Sequence, residues 1–172
     1  MKRIGIISDT HSHWDDRYAL HFDGCDEIWH AGDIGCIDII ERLENVCPTV
    51  RAVCGNIDSG VVRRRFKEVE VFETEGLKVM LRHIGGYPGR YSPGVPDRLS
   101  VERPNLLVCG HSHILKVMYD NSFGLLHINP GAAGTAGWHT RRTLVRLSID
   151  RGIPGDLEVI ELGRPRVEDL PR

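Results

Sequence analysis

A chain of 172 residues fits one domain, because single domains commonly run to about 100–200 residues and longer chains divide. Hydrophobic residues make up 41% and charged residues 27%, the balance of a globular fold rather than of a disordered or membrane-embedded chain. A formal charge of -2, from 22 basic and 24 acidic residues, excludes a broad positive field for a nucleic-acid backbone or an anionic membrane, so phosphate recognition must be local.

In chain order, Ile4-Gly5-Ile6-Ile7 is apolar on both faces, as in a strand buried between layers, and it stops at Ser8-Asp9-Thr10-His11. Residues 15–22 have helix-compatible spacing, and Glu27-Ile28-Trp29-His30 reads as a second strand running into Ala31-Gly32-Asp33. Apolar residues at 37, 39, 40 and 43 follow the helical period, and Thr49 to Cys54 returns to a strand that ends at Gly55-Asn56. This alternation predicts parallel strands with crossover helices in the first third of the chain.

The basic run Arg63-Arg64-Arg65 reads as a solvated face. Val69 to Phe72 and Leu77 to Leu81 flank Glu75-Gly76 as a hairpin whose second arm ends at His83. Residues 85–96, rich in Gly and Pro and carrying Tyr87 and Tyr91, are expected to form a surface loop on the rim of a site. Leu106 to Cys109 is a further buried strand, closed by Gly110-His111-Ser112-His113. An antiparallel pattern follows over 114–120, 124–128, 143–149 and 157–162. The expected organisation is one domain over residues 1–163 with a flexible tail at 164–172.

Cysteines at 25, 36, 47, 54 and 109 are odd in number and form no C-x-x-C pair, which predicts reduced, mostly buried thiols. The short apolar run after Met1-Lys2-Arg3 is too brief for a signal segment or a membrane span, so a cytoplasmic location without a membrane partner is expected. No motif encodes an oligomeric state, and a homodimer is left open.

The informative feature is that successive strands end in metal-competent side chains: Asp9 and His11, Asp33, Asn56, His83, then His111 and His113. In open α/β sheets the carboxyl ends of the strands border the ligand crevice, so these groups can converge although far apart in sequence. Imidazole, carboxylate and amide donors suit divalent manganese, iron, zinc or nickel. Seven ligands exceed one tetrahedral site but suffice for two ions sharing a carboxylate. Two such ions, about 3.5–4 Å apart, can hold a hydroxide and clamp an in-line displacement at phosphorus. His13 and His30, close to ligands, are expected to play structural or supporting parts, and His21, His127 and His139 to occupy ordinary helix, strand and loop positions.

Taken together and in order, D-x-H at Asp9 to His11, G-D at Gly32-Asp33, G-N at Gly55-Asn56, the strand-end His83 and G-H-x-H at Gly110 to His113 resemble the calcineurin-like metallophosphoesterase superfamily. The likeness is to its small phosphodiesterase branch, which also includes the retromer subunit, and it covers nearly the whole chain. It implies a four-layer α-β-β-α sandwich of two mixed β-sheets flanked by helices. It also implies Asp9, His11 and His113 at a first ion, Asn56, His83 and His111 at a second, and Asp33 bridging them, with Asp33, Asn56 and His111 as the catalytic residues. Manganese is the expected metal.

The Asn129-Pro130-Gly131 turn resembles one that supports such sites. Ile57 stands where the superfamily's protein phosphatases place a histidine that assists the leaving group, which argues against protein dephosphorylation. Ile84 replaces a frequent glycine and Ala132-Ala133 a frequent serine, changes that bear on the substrate pocket. The expected function is hydrolysis of a small phosphodiester by a metal-bridging hydroxide. The alternative is a non-catalytic, metal-binding scaffold for a partner protein.

Overall fold

The computed structural model describes residues 1–165, so the expected tail at 164–172 lies, from 166 onward, outside the described residues. Along the chain come β1 (Lys2–Ile7), α1 (Asp16–Phe22), β2 (Glu27–His30), α2 (Asp38–Val46), β3 (Val50–Ala52), α3 (Gly60–Arg65), β4 (Val69–Thr74) and β5 (Leu77–Arg82). They are followed by β6 (Gly86–Tyr87), β7 (Arg90–Tyr91), α4 (Val95–Glu102), β8 (Leu106–Val108), β9 (Leu115–Asp120), β10 (Leu125–Pro130), β11 (Arg142–Asp150) and β12 (Ile153–Gly163).

Two five-stranded mixed sheets form, ordered β12-β11-β1-β2-β3 and β4-β5-β8-β10-β9. In the first, β1, β2 and β3 are parallel, β11 is antiparallel to β1 and β12 antiparallel to β11; in the second, β5, β8 and β10 are parallel, β4 is antiparallel to β5 and β9 antiparallel to β10. Strand alternation then sets the layers. Ile4, Ile6, Trp29, Val145 and Leu147 of one sheet meet Leu77, Val79, Leu81, Leu106 and Val108 of the other in a shared core. On the outer face of the first sheet, Ile7 and Ile28 pack against Tyr18, Phe22, Ile39, Ile40 and Leu43 of α1 and α2. On the outer face of the second, Met80 and Leu107 pack against Val95 and Leu99 of α4. The result is the four-layer α-β-β-α sandwich.

Two stretches depart from expectation. Residues 85–96, read as a surface loop, contain the short β6–β7 hairpin and the first residues of α4. Pro96, taken as a loop marker, sits in the first turn of α4, where its missing N–H removes no helical bond. The basic run at 63–65 belongs to α3, whose only buried residue is Val62. Both helices bury too few side chains to show an apolar period. The 69–81 hairpin forms as read, and Glu75 and Gly76 both take positive φ (48° and 79°), the conformation that a tight two-residue turn demands.

At the end of β2 remote from Asp33, the buried Glu27 bolts the sheets together. It accepts from Lys2 Nζ (2.8 Å), Trp29 Nε1 (3.0 Å), Arg51 Nε (3.0 Å) and, across to β4, Thr74 Oγ1 (2.9 Å). Burial opposes its ionisation, but these donors outweigh burial and hold the carboxyl at about 2. A folded pKa below the unfolded one stabilises the protein above the ordinary carboxylate range, and that contribution is lost as pH falls toward about 2. Glu27→Gln should therefore lose on the order of 3 kcal/mol at pH 7. Denaturant titrations should show its stability flatter than wild type between pH 4.5 and 2, and parallel acid profiles for the two proteins would refute this.

Candidate metal centre

The parallel strands β1, β2 and β3 of one sheet and β5 and β8 of the other deliver their carboxyl ends to one place, and short backbone bonds stitch the following loops together. Asp9 N donates to Gly32 O (3.0 Å), His11 N to Asp33 O (3.0 Å) and Gly110 N to His83 O (2.9 Å). Close approach leaves no room for side chains at two glycines. A Cβ at Gly55 would collide with Asp33, and one at Gly110 would stand 2.7 Å from Asp9 Oδ2.

The side chains fall into two groups. Asp9, His11 and His113 bring one donor atom each within 4.8 Å of one another, and so do Asp33, His83 and His111. His113 Nε2 lies 3.1 Å from Asp9 Oδ1, and His83 Nε2 lies 3.2 Å from Asp33 Oδ2. Asp33 Oδ2 is also 3.6 Å from His11 Nε2, so this one oxygen borders both groups. Each aspartate is aimed by its other oxygen, since Asp33 Oδ1 accepts from Ile57 N (3.1 Å) and Asp9 Oδ2 from His111 N (3.1 Å). Asn56 is exposed and, with His83 and Arg82, lines an adjoining hollow of about 160 Å³.

Asp9 Oδ1, His11 Nε2 and His83 Nε2 are buried and make no hydrogen bond. Orphaned buried polar atoms are rare because desolvation is then uncompensated, and three acceptors turned toward one space are what a cation would satisfy. The donor set, imidazole with carboxylate, fits a divalent metal.

The electrostatics agree. Burial pushes the Asp9 carboxyl up, but His113 and His83 outweigh it and hold it below the usual value. Asp33 is opposed by burial in the same way, and His83, the Ile57 N–H and His11 bring it down. His11 is lowered by burial despite both carboxylates. At His83 burial lowers the pKa, yet Asp33 and Asp9 raise it above the ordinary value. Both carboxylates thus favour positive charge at this spot, which a divalent cation would supply.

Backbone strain marks the same residues. Of the ten non-glycine residues with positive φ among the described residues, five are Asp9 (53°), His11 (47°), Asp33 (51°), His111 (71°) and His113 (59°). A side chain in the left-handed region costs about 1–2 kcal/mol, so glycine would be the cheaper choice unless the side chain is needed.

Supporting residues surround these groups, and two of them, Asp58 and His139, escaped the sequence. Asp58, two positions after Asn56 and buried, accepts from Ile34 N (3.1 Å), Gly35 N (2.8 Å) and Gly55 N (2.7 Å), which ties the Asp33 loop to the Asn56 loop. Arg63 is exposed, as read, but also reaches back with Nε to Asp58 O (3.2 Å) and Nη2 to Gly55 O (3.4 Å). His30 is fully buried and held neutral by burial, with its pKa down at about 4. It accepts from Gly32 N (3.1 Å) and pairs with Thr10 Oγ1 (2.9 Å), a supporting part of the kind expected. Asn129 donates to Gly110 O (2.8 Å) and Ser112 Oγ (3.1 Å), bracing the loop of His111 and His113. His139, read as an ordinary loop residue, instead lies with Nδ1 3.1 Å from His113 Nδ1. Nothing in its local sequence signals that contact.

The profile of the calcineurin-like phosphoesterase superfamily domain matches residues 1–152. The chain belongs to the calcineurin-like phosphoesterase superfamily. A probable metallophosphoesterase of Methanothermobacter thermautotrophicus is 33% identical over 177 aligned positions, covering 97% of this chain and 96% of that protein. A solved archaeal phosphodiesterase shares the fold with a TM-score of 0.73 at 20% identity, over 93% of this chain and 99% of that one. Vps29 of Entamoeba histolytica, solved with zinc, gives 0.73 at 17% identity, over 94% and 98%. Calcineurin-like phosphoesterases use divalent metals, and this member carries His/Asp groups suited to them. No helix among the described residues is long and apolar enough to cross a membrane.

His111 is exposed, and its backbone bond to Asp9 does not involve its ring, so it tests the strain directly. His111→Gly should raise the stability of chelator-treated protein by about 0.5–1 kcal/mol, as left-handed strain is relieved, while lowering metal uptake. Denaturation and metal titration read both effects; a less stable glycine variant would show that no strain resides there.

Proposed function

We propose that this chain is a divalent-metal-dependent phosphoesterase that hydrolyses small phosphodiesters, with two cations held by Asp9, His11 and His113 on one side and by Asn56, His83 and His111 on the other, Asp33 lying between. Manganese is the preferred ion, with iron, zinc and nickel as alternatives. A single catalytic domain over residues 1–163 and a cytoplasmic location belong to the same reading. The observation that carries it is Asp33 Oδ2, 3.2 Å from His83 Nε2 and 3.6 Å from His11 Nε2, between two histidine-bearing groups.

When bound, a pair of cations supplies an acidified water as nucleophile and offsets charge gathering on the phosphoryl oxygens. The chain's own residues set the geometry. Asp9, Asp33 and His83 form a buried floor, whereas Asn56 and His111 are exposed at the mouth, where an arriving phosphate meets them first. The Ile57 N–H keeps the Asp33 carboxylate from rotating, because one oxygen stays bound to it. The Ile57 side chain, 44% exposed beside this site, has no proton to give a departing alcohol. Esters with good leaving groups are therefore the better substrates. The near-neutral charge supports small esters over polynucleotides.

A scaffold role is favoured by the fold likeness to Vps29 and by the exposed apolar row Leu115, Val117 and Tyr119 on one face of β9. Retention of every ligand type speaks for catalysis instead.

Purified protein should bind two manganese ions per chain and hydrolyse bis(p-nitrophenyl) phosphate. Chelation should abolish the activity and Asp33→Ala should lower it by at least about 100-fold. Equal rates under all three conditions would end the catalytic reading, and absence of metal after metal-replete purification would favour the scaffold.

A further inference from the structure

We infer that His139 is a positioning residue for His113: it accepts the Nδ1 proton of His113 and so keeps His113 Nε2 turned toward Asp9. The inference rests on the metal-dependent reading above and adds a residue that reading does not contain.

The two rings meet edge to face, with centroids 5.0 Å apart and an interplanar angle of 76°. Their Nδ1 atoms are 3.1 Å apart, a distance that is favourable only if one nitrogen carries a proton and the other does not. Which one is protonated follows from the far side of His139. Its Nε2 lies 3.0 Å from the carbonyl oxygen of Gly134, and a carbonyl can only accept. Nε2 of a neutral His139 therefore holds the proton, and Nδ1 is left as the acceptor. The proton between the rings belongs to His113 Nδ1, which leaves His113 Nε2, 3.1 Å from Asp9 Oδ1, as the nitrogen that a cation would meet. His83 is oriented more directly, its Nδ1 donating to Ala31 O at 2.8 Å.

The loop that carries His139 is built around this contact. Gly134 N donates to Asp9 O (3.0 Å), so residues 134–139 hold the backbone of Asp9 at one end and the ring of His113 at the other. At Gly137, with φ at 119°, a Cβ would stand 2.7 Å from His113 Cε1 and 3.3 Å from His139 Nδ1. The rings can approach only because that side chain is missing. His139 thus supports the Asp9, His11 and His113 group, and no contact joins it to Asp33, His83 or His111 among the described residues. A group that orients a metal-bound histidine in this way typically accounts for about 10–100-fold in metal affinity.

The test uses the full chain as wild type, His139→Ala, His139→Gln and Gly137→Ala. Each is titrated with manganese by calorimetry, and imidazole tautomers are read by long-range proton–nitrogen NMR in the metal-free state. His139→Ala and Gly137→Ala should weaken one of two equivalents by about 10–100-fold and leave the other within about two-fold, and His113 should lose its fixed Nδ1–H signature. His139→Gln should restore most of the affinity, because its amide can accept from His113 and donate to Gly134. Unchanged binding at both sites in His139→Ala would overturn the inference. So would equal weakening of both sites with a lowered melting temperature and no rescue by Gln, which would mark a merely structural residue. Wild-type protein that takes up no metal would instead overturn the proposed function. The metal-free tautomer signature would then still decide whether His139 orients His113.

Discussion

Acceptor atoms without donors, crowded at the carboxyl ends of strands from two sheets, are the constraint around which this molecule is arranged. Asp9 Oδ1, His11 Nε2 and His83 Nε2 are buried without a hydrogen bond, close to the ionised Asp33. Desolvation without compensation is unfavourable, and like acceptors repel at these distances. The arrangement persists because the other oxygen of each aspartate is fixed by a backbone N–H, from Ile57 and His111. A divalent cation resolves the conflict that the polypeptide leaves standing.

The backbone bears a related burden. Asp9, His11, Asp33, His111 and His113 all take left-handed conformations that favour glycine. Stability to hold them comes from elsewhere, chiefly the core between the sheets and the layers of helix outside them. Glu27 contributes at the opposite end of β2 from Asp33, gathering donors from four strands or their flanks. The strained end of the sandwich is thus separated from the polar bolt that braces it, in keeping with the usual division between a rigid scaffold and a site on its loops.

Between scaffold and site stands a layer of supporting contacts. Asp58 ties two ligand loops through three backbone N–H groups, His30 links the Asp9 and Asp33 loops, and Asn129 braces the loop of His111 and His113. These contacts hold the ligand-bearing loops in place, while Ile57 N, His111 N and Ala31 O set which oxygen or nitrogen of Asp33, Asp9 and His83 faces inward. Membership of the calcineurin-like phosphoesterase superfamily accounts for the ligand types, while the supporting layer is read from this chain's own geometry.

The strands β1, β2, β3, β5 and β8 and the polar residues that end them were legible in the sequence, because a doubly buried strand and a short spacing such as Asp9-x-His11 are local patterns. The helices α3 and α4 were not, since with one and two buried side chains they carry no apolar period. Asp58 and His139 were also invisible. Their partners stand 24 and 26 residues away, at Ile34 and His113, and only the crossing of loops from separate strands brings them together. The sequence by itself determined which atoms are able to bind a cation. Tertiary structure decided which way each of them faces, because the direction of a lone pair is set by neighbours that chain order does not reveal.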